Sequence, residues 1–246
     1  MLVEVAVDSL AGASTAEAHG ADRLELCTSL AEGGLTPSAG LLAAVRAAVR
    51  LPVFVMARPR AGDFCYDDGE FAVLLRDVAG ARAAGADGIV AGVLCSDGTV
   101  DEARLRALVA AAAPLPLTFH RAFDHAADPV PALAALIAAG VARVLTSGQA
   151  ATALAGAATI ARCVAAAGDR LTVMAGAGVC ADTVHELVQR TGVREVHLSA
   201  TTWRPGAMAF RRAAVPIATA VPPAADAVRT TDGAAVAAVV AALRGC

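Results

Sequence analysis

The chain has 246 residues, a formal net charge of −3 and a hydrophobic fraction of 57% of which little is aromatic, so Ala and Val carry the apolar content. All 20 basic residues are arginine, which excludes any mechanism built on a lysine Schiff base or a phosphate-binding Walker lysine. No basic run stands out, and nucleic acid is therefore not an expected partner.

A mean hydropathy of +0.60 raises the question of a membrane, yet no stretch of about 20 strongly apolar residues appears. The best candidate, "VPALAALIAAGVARVL", is interrupted by Gly140 and Arg143. The opening "MLVEVAVDS" carries Glu4 and Asp8 and lacks the basic start of a signal peptide, so a cytoplasmic protein is expected. Six cysteines (Cys27, Cys65, Cys95, Cys163, Cys180 and Cys246) form no CxxC pair and no zinc spacing, which fits small buried apolar side chains.

Taken in chain order, eight β-type runs emerge: Leu2–Val7, Arg23–Cys27, Val53–Arg58, Gly88–Gly92, Leu117–Arg121, Arg143–Thr146, Leu171–Ala175 and Glu195–Ser199. Five are preceded by the same junction, as in "EAHGADRLEL" and "RAAGADGIVAG", where Gly20, Gly85, Gly140, Gly168 or Gly192 follows a helical stretch. Glycine suits the left-handed position just past a helix end. Thr36-Pro37 and Asp128-Pro129 read as helix starts, with a capping side chain before proline. Eight units at a βαβ spacing of about 31 residues predict a single-domain α/β fold, a (β/α)8 TIM-type barrel. The segment 202–231 after the last strand reads as long and irregular, followed by a final helix near Asp232–Leu243.

Such barrels place their sites at the carboxyl ends of the strands, and strand alternation selects the side chains that point inward. In "RLELC" the leucines face the helices and send Arg23, Glu25 and Cys27 inward. "VFVMARPR" does the same for Phe54, Met56 and Arg58, and the first strand contributes Glu4. "LTFHRAFD" carries His120 to the end of the fifth strand, with Arg121 and Asp124 entering the loop above; "EVHLSA" contributes His197 and Ser199. Buried ionisable groups must be paired, so this convergence predicts either a polar network closing the barrel or a pocket. In the pocket reading Glu25, His120 and His197 do acid–base work, with Glu25 and His120 each tuned by the other's charge. Arg23, Arg58 and Arg60 then bind an anion, with Ser147, Gly176, Gly178 and Ser199 on the loops "TSGQ", "AGAGV" and "SATT" offering further donors. Tight-turn glycines and internal pairing of Arg60 with Asp63, Asp67 or Asp68 are the plainer alternatives. Cys27 is a candidate soft-metal ligand or a simple buried thiol.

"ADRLELC", "EGGLTPS", "VFVMARPRAGDFCYDDGE", "LTFHRAFD", "RVLTSGQ", "MAGAGV" and "EVHLSA" together resemble the CutC family, named for copper homeostasis. The resemblance implies a cytoplasmic TIM-like barrel, usually oligomeric as a dimer or larger, that is linked to copper tolerance or to Cu(I) binding. Relatives often carry Cys where this chain has Ala6, so a two-thiolate site from strands one and two cannot form, and Cys27 would need Met56, Cys65 or another subunit. Relatives also tend to read Phe/Tyr-Arg-Asn where this chain has Phe210-Arg211-Arg212. Three functional readings follow: copper binding at Cys27, an enzyme acting on a small anionic and perhaps phosphorylated metabolite, or a non-catalytic barrel whose segment after strand eight serves assembly.

Overall fold

The computed structural model describes residues 1–210, 212, 214–215 and 226–245. Strand β1 (Leu2–Val7) leads to helix α1 (Leu10–Ala18), β2 (Arg23–Leu26) to α2 (Ala39–Ala48), β3 (Val53–Met56) to α3 (Asp68–Ala83) and β4 (Gly88–Ala91) to α4 (Glu102–Ala112). The second half repeats the unit: β5 (Leu117–Phe119) and α5 (Pro129–Ala138), β6 (Arg143–Thr146) and α6 (Ala157–Ala167), β7 (Thr172–Gly176) and α7 (Ala181–Thr191), then β8 (Glu195–Leu198). The eight strands pair in parallel and in chain order, and β8 closes on β1 to complete the barrel. This is the predicted (β/α)8 fold. The glycines of the repeated junction, Gly20, Gly85, Gly140, Gly168 and Gly192, all have positive φ, as glycine permits, although Gly168, with ψ −132°, lies outside the left-handed helical region expected of it.

Strand alternation divides the core in two. Outward-facing Val3, Val5, Leu24, Leu26, Val53, Val55, Ile89 and Val196 pack against the helices in one continuous apolar layer, each large side chain contributing about 1.5–3 kcal/mol. Inside the barrel a small apolar cluster of Cys27, Phe54, Met56 and Val90 is surrounded by charge. Gly88 exists for that cluster, since a Cβ there would stand 2.5 Å from the Phe54 ring. Among the described residues no helix is long and apolar enough to cross a membrane.

Three expectations change. Strands β3 and β5 end at Met56 and Phe119, earlier than the pattern suggested, so Arg58 lies just past β3, and His120 caps a short 3₁₀ turn, Arg121–His125. Asp128 caps α5 with Pro129 in the first turn as expected, but α2 is capped by Ser38 rather than Thr36. The Thr36 hydroxyl is committed elsewhere, bonding Asp77 Oδ2 at 2.8 Å and the backbone N–H of Arg58 at 3.0 Å. Finally, segment 202–231 is not wholly irregular. Thr201–Arg204 (β9) pairs antiparallel with Val228–Thr231 (β10) before α8 (Gly233–Arg244), capped by Asp232. Arg211 of the Phe210-Arg211-Arg212 motif, most of the tract between the two strands and Cys246 lie outside the described residues.

Candidate active site at the carboxyl end of the barrel

The interior is built in layers. Arg23, Arg143 and Glu195 are the first residues of β2, β6 and β8, so they form a floor at the amino-terminal end. Arg23 donates to Glu195 at 2.5 Å and Arg143 donates to the same carboxylate at 2.9 Å. Their guanidinium groups stand 4.9 and 5.1 Å from the centroid of the Phe54 ring, each cation meeting the negative face of the aromatic system.

Above the floor, Glu4 of β1 lies in register with Arg23 on one side and His197 on the other. One carboxylate oxygen accepts from Arg23 Nε and the other from His197 Nδ1, the latter at 2.8 Å. His197 Nε2 then faces Glu25 Oε2 at 3.8 Å. The result is a carboxylate–imidazole–carboxyl chain. Burial alone would raise the Glu4 pKa, but the His197 hydrogen bond and the Arg23 charge outweigh it and hold the group at about 2. Glu25 goes the other way. Burial pushes it up to about 7, with the Glu4 charge adding to the effect and the His197 and Arg23 charges opposing it. For His197, burial is overcome by the charge of Glu25 and the bond to Glu4, and its pKa rises.

The chain opens into a cavity of about 960 Å³ walled by Glu25, Met56, Arg58, His120 and His197. Arg58 and His120 both meet one aromatic side chain: Arg58 stands 5.1 Å over the Phe64 ring, and the tilted His120 ring lies 5.0 Å from it. Gly92 leaves room for the His120 ring, since a Cβ there would come within 2.6 Å of it. His120 Nδ1 accepts from the Ala122 N–H at 3.1 Å, which places the ring hydrogen on Nε2. Burial, reinforced by the Arg58 charge, pushes its pKa down to about 3, so the imidazole is neutral at physiological pH. The expected mutual tuning of His120 and Glu25 is therefore corrected: burial and then the Arg58 charge act on His120, whereas burial and then the His197 and Glu4 charges act on Glu25.

Glu25 Oε1, Arg58 Nε and His120 Nε2 are buried polar atoms without a hydrogen-bond partner. Unpaired buried groups are rare and costly, and here three belong to walls of one cavity. The carboxyl ends of β7 and β8 add strain, with Ala177 at φ 82° and Ala200 at φ 41°, both on the cavity wall. Such backbone persists only where its surroundings enforce it, and it gathers at functional sites.

The remaining expected residues divide. Gly178 and Ser199 line the cavity. Arg23 does not: it is the first residue of its strand, sits a layer below Glu25 and is saturated by Glu4 and Glu195. Arg60 is held by Glu70 and Asp63 and by the carbonyls of Ala61, Asp63 and Cys65, and it braces the loop after β3. Ser147 is buried in the β6–α6 loop within 2.9 Å of Asp124 Oδ2 and 2.6 Å of the Ala150 carbonyl. Gly176 lies in β7, where a Cβ would stand 2.6 Å from Leu145 and 3.3 Å from His197, and its role is spatial. Sequence reasoning overlooked Phe64, which also lines the cavity, as does the exposed His125 at its edge. It placed Glu4 inside without recognising it as the hub of the chain.

For a metal, Glu4, Glu25 and His197 bring ligand atoms within 4.8 Å of one another. Both Glu4 oxygens and His197 Nδ1 are already engaged, and this hard set does not suit Cu(I), which prefers sulfur. Cys27 fits no better. It is fully buried, its Sγ donates to the Val7 carbonyl at 3.6 Å, and burial followed by the Glu25 and Asp8 charges drives its pKa well above the usual thiol value.

Fold and cavity together define a TIM-type barrel with a charged pocket at the carboxyl ends of its strands. Residues 1–202 match the CutC family, and the chain belongs to it. The copper homeostasis protein CutC from Streptococcus agalactiae is 32% identical, with a TM-score of 0.77 over 80% of this chain and 97% of that one. Two more distant structures share the fold alone. Phosphoribosylanthranilate isomerase from Thermotoga maritima has a TM-score of 0.60 at 10% identity, covering 100% of both chains. Phosphoenolpyruvate phosphomutase from Streptomyces platensis subsp. rosaceus has 0.58 at 15%, covering 81% of this chain and 76% of that one.

Proposed function

We propose that this CutC-family barrel binds a small anionic metabolite in its cavity and moves a proton on it. The observation that carries this reading is the set of unpaired buried atoms on Glu25, Arg58 and His120 around one cavity. Arg58 supplies the positive charge. Its Nη atoms donate to the carbonyls of Glu32, Gly34 and Gly62, which orient the guanidinium without neutralising it, and among the described residues it makes no ion pair. Glu25 carries the proton: a carboxyl that titrates at about 7 exists in both forms near neutral pH, as acid–base catalysis requires. His197 is held in place by Glu4 and responds to the charge on Glu25. The carboxylate form of Glu25, the form that abstracts a proton, grows as pH rises through about 7.

Calorimetric titration with inorganic phosphate and with malonate tests the anion site. Binding that weakens at least tenfold in Arg58→Gln is expected; equal affinity in wild type and variant would refute the assignment of Arg58.

Copper handling is the second reading, supported by family membership and by Met56 beside Cys27. Met56 Cε and Cys27 Sγ both lie within 3.4 Å of the point where a Cβ on Gly34 would sit. On this reading the protein works in the cytoplasm, as a dimer or larger assembly, with Cu(I) as cargo. Anaerobic Cu(I) titration against a chromophoric chelator should then give one tight equivalent that is lost in Cys27→Ser. No uptake by the wild-type protein removes this reading.

A further inference from the structure

Resting on the acid–base reading above, we infer that the cavity enolises its ligand: Glu25 takes a proton from a carbon beside a carbonyl, while Arg58 and His120 hold the oxygen that becomes negative. The substrate class is a small carbonyl compound with an acidic C–H and an anionic group.

The argument starts from what each side chain has left to offer. Arg58 keeps its charge on the cavity wall, with the buried Tyr66 hydroxyl beside its guanidinium. His120 receives an N–H on Nδ1 and therefore presents an unused Nε2–H. Because the ring is neutral and beside a cation, it donates a hydrogen bond without being a ready source of protons, which suits it to stabilising an oxyanion. Phe64 contacts both groups and gathers them on one part of the wall. Glu25, on the cavity wall, is the base, and Glu4 acts as a positioning residue through His197. Covalent routes lack their parts. The chain has no lysine, and among the described residues neither thiol on the cavity wall, Cys65 nor Cys95, has a hydrogen-bonded base.

The step balances without an oxidant or second substrate. The C–H electron pair becomes the new C=C bond, the carbonyl π pair moves onto oxygen, and the proton resides on Glu25. Delivery to the same carbon of a proton that has first exchanged with solvent gives hydrogen exchange with retention. Its return to the neighbouring carbon of an enediolate, with the hydroxyl proton passing between the two oxygens, gives isomerisation.

The experiment incubates the full chain in D2O with pyruvate, hydroxypyruvate and dihydroxyacetone phosphate, and follows loss of the carbon-bound proton signal by NMR. We expect exchange at least tenfold above buffer with at least one probe. It should be abolished in Glu25→Gln and slowed at least tenfold in His120→Phe, with kcat falling more than KM changes. Arg58→Gln is the second variant should His120→Phe fail to fold by circular dichroism. Exchange at the buffer rate with all three probes, or exchange that survives Glu25→Gln, overturns the inference. Thermal unfolding run alongside separates the two levels. Probes that stabilise wild type but not Arg58→Gln, without exchanging, overturn enolisation and leave the broader reading of the cavity standing; probes that neither bind nor exchange overturn both.

Discussion

Replacing Glu25 by glutamine should make the folded protein gain stability, relative to wild type, as pH rises. In the unfolded chain this carboxyl ionises near its ordinary 4.5; in the fold burial holds it protonated to about 7. Between those values the unfolded state gives up a proton that the folded state keeps, so wild-type stability is highest below 4.5 and is lost progressively until pH exceeds about 7. At about 1.4 kcal/mol for each tenfold difference in proton affinity, the full loss is about 3 kcal/mol. His197 titrates with Glu25, which makes that figure a ceiling. Glutamine cannot ionise, so the variant escapes the loss. Any constant cost of burying its amide cancels when the two proteins are compared at several pH values. Urea unfolding from about pH 4 to about pH 8 should show the stability difference moving in favour of the variant by up to about 3 kcal/mol, or about 6–12 °C in Tm for a chain of this size. Parallel stability curves would refute the reasoning, because they would mean that burial does not hold the proton on Glu25.

Three further outcomes follow from the same geometry. Glu4→Ala removes the partner of both Arg23 and His197 and should cost about 3–5 kcal/mol in urea unfolding, with Glu4→Gln costing less. Because the wild-type Glu4 carboxyl is held at about 2, its contribution is present above the ordinary 4.5 and fades as pH falls toward about 2, so the Ala variant should converge on wild type in strong acid. Gly92→Ala places a Cβ 2.6 Å from His120 Cε1 and Nδ1; overpacking of this kind costs about 1–3 kcal/mol, and phosphate binding measured by calorimetry should weaken with it. Thiol labelling of the folded protein should modify exposed Cys65 and Cys180 and spare Cys27 until denaturant is added, with mass spectrometry assigning the sites.

The barrel was legible because its signals are local. Glycine at each helix-to-strand junction and alternating side chains along short apolar runs are properties of neighbouring residues, and the eight strands were located from them. Alternation also put Glu25, His120 and His197 inside. It could not say at what height along the axis each would sit, which depends on how far each strand is displaced relative to the next. Arg23 therefore looked like an anion ligand although it belongs to the floor, and Glu25 was matched with His120 rather than with His197. Arg60 illustrates a different limit: of the partners in view, Asp63, Asp67 and Asp68, only Asp63 pairs with it, and the fold of one loop adds Glu70 and turns the guanidinium away from a ligand. The β9–β10 pair escaped notice because more than 20 residues separate two four-residue strands, and no short turn betrays them.

The layer of Arg23, Arg143, Glu195 and Phe54 has a consequence for traffic. It stoppers the barrel at one end, so whatever visits the pocket enters and departs by the same rim, and an outgoing molecule obstructs the next arrival. Protons face the same restriction: with arginine cations beneath Glu4, the carboxyl–imidazole chain has its outlet upward, toward the cavity.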